Sequence, residues 1–344
     1  MSLVRDEIAE QPAVLAGLLR ASEGAIAAAA RDIRHRAPRY AVLAARGSSD
    51  NAARYAQHLL GRLCGLPVAL ATPSLHTLYD APPRYRDALV IGISQSGASP
   101  DVVAVVEAGT RDGSVSVAIT NDPHSPMATA AQHVIELGVG QERSVAATKT
   151  YTASLGAVAA LAAAIAGDAE RSVQLEAIPD ALARQLALTD GPEAAAAAST
   201  GWARLASIGR GANYATAFEA ALKIKELTGV AAEPYSPADF LHGPIAVVDE
   251  GFPVLAVAAG GPALSGIGEV LASVRRRGGT TWAIADDPAA AAEETGCLAL
   301  VPTPEWLSPL VAVVPAQLLA VAAAERRGLD VDRPFGLQKV TRTT

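Results

Sequence analysis

Cysteine is scarce: the chain has two, Cys64 and Cys297, and neither has a neighbouring cysteine or histidine. That excludes a disulfide framework and a zinc-type ligand cluster, and it fits a reducing, cytoplasmic setting. Aromatic residues make up only 4% of the chain, the formal net charge is −7, and no Lys/Arg-rich block with interleaved aromatics occurs. Nucleic acid is therefore not an expected partner. Half the residues are hydrophobic, yet no uninterrupted apolar run approaches the roughly 20 residues that a membrane span needs. The N-terminus, Met1 to Ile8, carries acids where a signal peptide would carry basic residues. Neither a membrane role nor export is expected.

A length of 344 residues suits two cores better than one. Residues 1–36 read as a helical leader, acidic early and rich in arginine late, with Pro38 as a stop. Short apolar runs follow at Tyr40–Ala45, Pro67–Ala71, Ala88–Ile93, Ser116–Thr120 and His133–Leu137, separated by polar or helical stretches. Such runs are the mark of strands buried on both faces, and their alternation with helices predicts an α/β domain over 37–166 with a doubly wound parallel sheet. A helical connector is predicted over 167–200. The pattern then repeats over 201–328, with strands at Ala203–Ile208, Val254–Ala258, Thr280–Ala285 and Leu298–Val301, as if one architecture were present twice. The tail 329–344 mixes Pro, Gly and a lone lysine, so something other than core packing must order it.

Ligands of open α/β sheets bind beyond the carboxyl ends of the strands. Two turns there are rich in hydroxyls: Gly47-Ser48-Ser49-Asp50-Asn51 after the first strand, and Ser94-Gln95-Ser96-Gly97-Ala98-Ser99 after the third. Serine and aspartate in βα turns commonly do no more than cap the next helix. Two such turns in one domain favour a phosphate cradle instead, built from hydroxyls and backbone N–H groups around a glycine. A third polar turn, Gly138 to Tyr151, reads on its own as a capping loop.

The second half carries groups of another kind. On a helix predicted over 216–228, Glu219, Lys223 and Glu226 are spaced by four and then three, which puts them on one face. The ordinary account of such a stripe is a solvated row of ion pairs. Beside it runs a rigid, polar loop, Glu233 to Pro244, in which His242 sits between Leu241 and a Gly-Pro turn, a setting that can hold an imidazole in one orientation. A carboxylate, an imidazole and an ammonium near a phosphate cradle suit proton transfer on a phosphorylated sugar: ring opening at O1 and the ring oxygen, then movement of hydrogen between C1 and C2.

Six ordered motifs, Gly47-Ser48-Ser49, Ser94-Gln95-Ser96-Gly97, Val145-Ala146-Ala147-Thr148-Lys149, Ala221 to Glu226, Leu241-His242-Gly243-Pro244 and Leu337 to Thr341, resemble the sugar isomerase (SIS) domain family. Within it they are similar to the isomerase half of glucosamine-6-phosphate synthase. The resemblance implies two tandem flavodoxin-like SIS domains with no metal and no organic cofactor. It implies that Gly47, Ser48, Ser49, Ser94, Gln95, Ser96 and Ser99 bind the sugar phosphate, with Val145, Ala147 and Gln338 contributing. Glu226 is then the C1–C2 proton shuttle and His242 the ring-opening residue, which in the family reaches the neighbouring subunit's site, so a homodimer is expected. Lys339 matches the lysine that approaches the sugar carbonyl end, the tail closes over the site, and Glu219 and Lys223 support.

The substrate expected is an amino sugar phosphate. The chain carries no glutaminase segment, and its Ser99-Pro100-Asp101 continuation, Ala71 to Ser74 run, Ala146 to Tyr151 segment and Asp239 to His242 run resemble the stand-alone glucosamine-6-phosphate deaminases. That predicts conversion of glucosamine 6-phosphate to fructose 6-phosphate and ammonia. The alternatives are an isomerase or deglycase for galactosamine 6-phosphate or a fructosyl-amine 6-phosphate, decided by residues near Ser74–Tyr79, or a sugar-phosphate-sensing protein without catalysis. The last predicts loss of acid–base residues, and Glu226, His242 and Lys339 are all present.

Overall fold

The computed structural model describes residues 2–339. Strands β1 (Tyr40–Ala44), β2 (Val68–Leu70), β3 (Ala88–Ser94), β4 (Val115–Thr120) and β5 (His133–Glu136) form one sheet, in the order β2-β1-β3-β4-β5. Strands β6 (Arg204–Ile208), β7 (Ala231–Tyr235), β8 (Pro253–Ala258), β9 (Thr280–Ala285) and β10 (Gly296–Ala299) form a second, in the order β10-β9-β8-β6-β7. All pairings are parallel. Numbered within its own half, each sheet has the same strand order, the flavodoxin-like arrangement. The α/β class and the duplication expected from the sequence are both present.

Helices on both faces explain the apolar runs. Every residue of β3, β4 and β8 is buried, as a parallel sheet covered on two sides requires. The helix Ser308–Arg326 is buried from Ser308 to Ala324 and packs on the helices Asp190–Ala198 and Tyr214–Thr228. By length and composition Glu305–Arg326 and Lys149–Ala166 are long and apolar enough to cross a membrane, although neither is an uninterrupted apolar run. Their apolar faces are used inside the fold: the windows are 100% and 78% buried.

The helical leader consists of three helices, Leu3–Ala9, Gln11–Ala21 and Glu23–Arg36. One part differs from expectation. The stretch expected to be loop after Thr228 begins with β7, whose Glu233 and Pro234 hid it; proline cannot donate to a ladder, but an edge strand leaves one side without a ladder. By contacts the chain forms two compact units, one of residues 2–12, Arg143–Thr148 and Ile178–Leu337, the other of Ala13–Glu142, Lys149–Ala177 and 338–339.

In each sheet the strand order reverses between the first and third strands, which sets the turns after β1 and β3 side by side at the carboxyl edge. The helix Pro100–Arg111 that leaves the β3 turn lies so close to its sheet that a Cβ added at Gly109 would stand 2.6 Å from Val90 Cγ2 and 2.9 Å from Val90 Cβ. Alanine favours a helix by about 1 kcal/mol over glycine, but overpacking a rigid β-branched neighbour costs about 1–3 kcal/mol. Gly109→Ala should therefore lower the thermal midpoint by a few degrees in a calorimetric scan; a raised midpoint would show that the helix can retreat from β3 at no cost.

Candidate active site

The first pair of turns is cross-braced. Arg46 Nε and Nη2 lie 2.7 and 2.6 Å from Asp101 Oδ2, and Asp101 is 2% exposed, so the turn after β1 is tied to the helix that follows β3. In the β3 turn the Gly97 N–H donates to Ser94 Oγ at 3.2 Å and the Ala98 N–H donates to Ser96 Oγ at 3.3 Å. Gly97 has φ +59°, and a Cβ there would stand 2.1 Å from Ser125 Oγ, so the sharp turn depends on glycine.

Helix capping does not account for these serines. Gly47 is the N-cap of the helix Ser48–Cys64, and Ser99, the N-cap of Pro100–Arg111, accepts no N–H of that helix. By contrast Ser125 and Ser236 do cap their helices through the side chain. The Ser49 and Ser99 hydroxyls have no hydrogen-bond partner among the described residues. Two helix N-termini thus bring uncommitted hydroxyls, those of Ser49 and Ser99, to the carboxyl edge of one sheet, an arrangement suited to an anion.

The third turn is more than a cap. Asn121, directly after β4, accepts the Val139 N–H at 2.9 Å and donates from Nδ2 to the Gly140 carbonyl at 2.8 Å, fixing the glycine turn. Beyond it Glu142 is buried and accepts the Thr150 N–H at 3.1 Å, Gln95 Nε2 at 3.4 Å and Lys339 Nζ at 2.7 Å. Lys339, the tail lysine, is therefore held by a buried carboxylate of the first sheet's own unit. Glu142 was missed in the sequence; the available signal was an acid between Gly140 and the start of the helix at Lys149. Gln338 is exposed, and Val340 and Thr341 of the tail motif lie outside the described residues.

Solvation does not explain the charged stripe of the second half. On the helix Tyr214–Thr228, Glu219 is 0% and Lys223 1% exposed, and Lys223 Nζ lies 3.4 Å from Glu219 Oε1 and 2.5 Å from Glu226 Oε2. Glu226 keeps 24% of its side chain exposed. The result is a graded row: one fully buried carboxylate, one buried ammonium and one carboxylate at the surface. Asn213 anchors the start of this helix by donating to Ser308 Oγ at 2.7 Å and accepting from Thr216 Oγ1 at 2.9 Å, and Gly229, φ +72°, ends it.

His242 departs from expectation. It terminates a short helix, Pro237–Leu241, and its backbone N–H reaches the Ala238 and Asp239 carbonyls, but the residue is exposed and its ring has no partner among the described residues. The loop does not fix the imidazole as proposed. Val145 and Ala147 are half-buried, in a segment whose Ser144 hydroxyl donates to the Ala146 carbonyl at 2.9 Å. In the Ser74–Tyr79 region, His76 Nε2 is 2.8 Å from Tyr85 Oη and the rings stack; burial, with the Arg111 charge adding to it, holds the His76 ring below the ordinary histidine pKa.

The SIS domain family model matches residues 36–164 and 200–325, covering both sheets with their helices. The chain belongs to the SIS domain family. A glutamine–fructose-6-phosphate aminotransferase (isomerizing) of Zymomonas mobilis is 32% identical to this SIS protein over 98% of the chain and 58% of the relative. The chain spans about half the length of the curated relatives it matches. Among solved structures, a candidate phosphosugar isomerase of Silicibacter pomeroyi DSS-3 is 37% identical with a TM-score of 0.88, over 96% of this chain and 100% of the other. The C-terminal domain of glucosamine-fructose-6-phosphate aminotransferase from Francisella tularensis is 26% identical with a TM-score of 0.83, over 97% and 98%.

Lysine use in this SIS protein is selective. Its 28 basic residues include only Lys149, Lys223, Lys225 and Lys339 as lysines, and the first two are buried while Lys339 is paired to buried Glu142. Lys223→Met should destabilise the protein by about 3 kcal/mol in urea unfolding, because Glu219 keeps its burial and loses the ammonium beside it. A cost under about 0.5 kcal/mol, the surface ion-pair range, would remove the triad from any account of the site.

Proposed function

We propose that this SIS protein is a phosphosugar isomerase that acts on an amino sugar 6-phosphate, converting glucosamine 6-phosphate to fructose 6-phosphate and ammonia. The observation that carries the reading is the buried ammonium of Lys223 between a fully buried Glu219 and a surface Glu226. A stripe kept only for solubility would sit in water; burying it carries a desolvation cost that a binding role alone does not explain.

In the proposed reaction the phosphate is taken by the turns after β1 and β3, through the hydroxyls of Ser49 and Ser99. His242, supplied by a second copy of the chain, opens the ring by moving a proton between O1 and the ring oxygen; its exposure leaves it available for that. Glu226 removes the C2 proton as the carboxylate, carries it as the carboxylic acid and delivers it to C1, with Lys223 holding its position. Carbon 2 becomes a ketimine, water adds to it, and ammonia leaves with the amine's electron pair. The Lys339 ammonium, aimed by Glu142, faces the carbonyl end and stabilises negative charge on oxygen in the enediol-like state. The cytoplasm is the compartment that fits these substrates.

Ammonia release is the direct assay, with glucosamine 6-phosphate, galactosamine 6-phosphate and, in reverse, fructose 6-phosphate plus ammonium. Turnover is expected on the first; silence on all three ends the deaminase reading, and turnover on the second alone moves the substrate to the galacto series. Glu226→Gln should bind fructose 6-phosphate within about threefold of the parent yet lose on the order of 10³ in kcat, as expected when a proton-transferring group is removed. Parent-like kcat would take the shuttle role away from Glu226.

A further inference from the structure

Glu7 lies on the first helix, far in sequence from every residue discussed so far, and is buried at 4% exposure. Its carboxylate accepts the Ser144 N–H at 3.2 Å, the Arg143 N–H and the Ser144 hydroxyl. Three donors from two consecutive residues converge on one anion. A buried carboxylate with that many short hydrogen bonds restrains the backbone it holds, since releasing any donor leaves a charged acceptor unsatisfied. The helix itself is held firmly: Val4 and Ile8 are buried, Arg5 pairs with Glu325 at 2.6 Å, and Asp332 accepts the Leu3 and Val4 N–H groups at 3.0 Å each. The last contact caps the helix with a carboxylate at its positive end.

The chain positions matter. Arg143 and Ser144 lie between Glu142 and Val145, with Ala147 two residues further on, while Asp332 stands seven residues before Lys339. We propose that Glu7 is a positioning residue of the active site: the first helix acts as a strut, fastened by Asp332 to the C-terminal segment and by Glu7 to the 143–144 backbone, so that Val145 and Ala147 meet the sugar in a fixed geometry. The proposal rests on the phosphosugar reading of Val145 and Ala147.

The test compares Glu7→Ala, Glu7→Gln and Glu7→Asp with the parent in the full chain, by amide hydrogen exchange over residues 142–150 and by calorimetric affinity for fructose 6-phosphate. Glu7→Ala should speed exchange at Arg143 and Ser144 by about tenfold or more and weaken binding by about tenfold, with kcat changing less than about threefold. Glu7→Asp, which keeps both acceptor oxygens, should recover part of the affinity, and Glu7→Gln less. Exchange at the parent rate overturns the clamp; a loosened segment with undiminished affinity overturns the positioning role. Should Glu7→Ala not fold, Ser144→Ala removes one donor and carries the same two readouts. A parent that binds no phosphosugar ends the functional reading alone, because the exchange comparison still decides whether Glu7 holds the segment.

Discussion

A lysine ammonium buried between two carboxylates on one helix face is the constraint on which the site depends. Charge is expensive to bury, and the arrangement persists only if each group keeps its partner. On the helix Tyr214–Thr228 the spacing of four and then three supplies those partners from a single rigid element, so no loop movement is needed to keep Glu226 beside Lys223. The gradient from the core to the surface leaves Glu226 as the carboxylate of the row that solvent can reach, while Lys223 holds its position. Alanines at positions 215, 217, 220 and 221 let the same helix pack closely against its neighbours, which keeps water away from the inner pair.

Duplication explains why two equivalent sheets do different things. The residue after the fourth strand is Asn121 in the first half and Asp286 in the second. Asn121 is neutral and orders a glycine turn. Asp286 instead accepts the Gly260 N–H with both oxygens, at 2.9 and 3.0 Å, so a carboxylate already sits where the second sheet would receive an anion. The second half's turns carry Gly209-Arg210-Gly211 and Gly260-Gly261-Pro262 in place of serines. On the proposed reading, one copy holds the anion cradle and the other the acid–base helix.

Much of the fold was legible because buried parallel strands are short, apolar and regularly spaced, as Ala88–Ser94 and Thr280–Ala285 illustrate. Strand β7 was not, since an edge strand with Glu233 and Pro234 has no such signature. The candidate residues were named from residue type and motif, but three facts about them needed coordinates. Burial of Glu219 and Lys223 separates their row from a solvated one, and helical spacing is the same in both. The freedom of the Ser49 and Ser99 hydroxyls separates a cradle from two caps. Glu142 and Glu7 act across 197 and 137 positions of sequence, on Lys339 and Ser144, and no local pattern reports partners so distant.

The central claim is that a protein carboxylate carries one hydrogen between neighbouring carbons of a phosphorylated sugar. The most direct measurement follows fructose 6-phosphate with the parent protein in deuterium oxide by proton NMR. The account predicts stereospecific loss of one C1 proton signal as solvent deuterium replaces it. Full retention of both C1 protons, with the sugar bound, would contradict it.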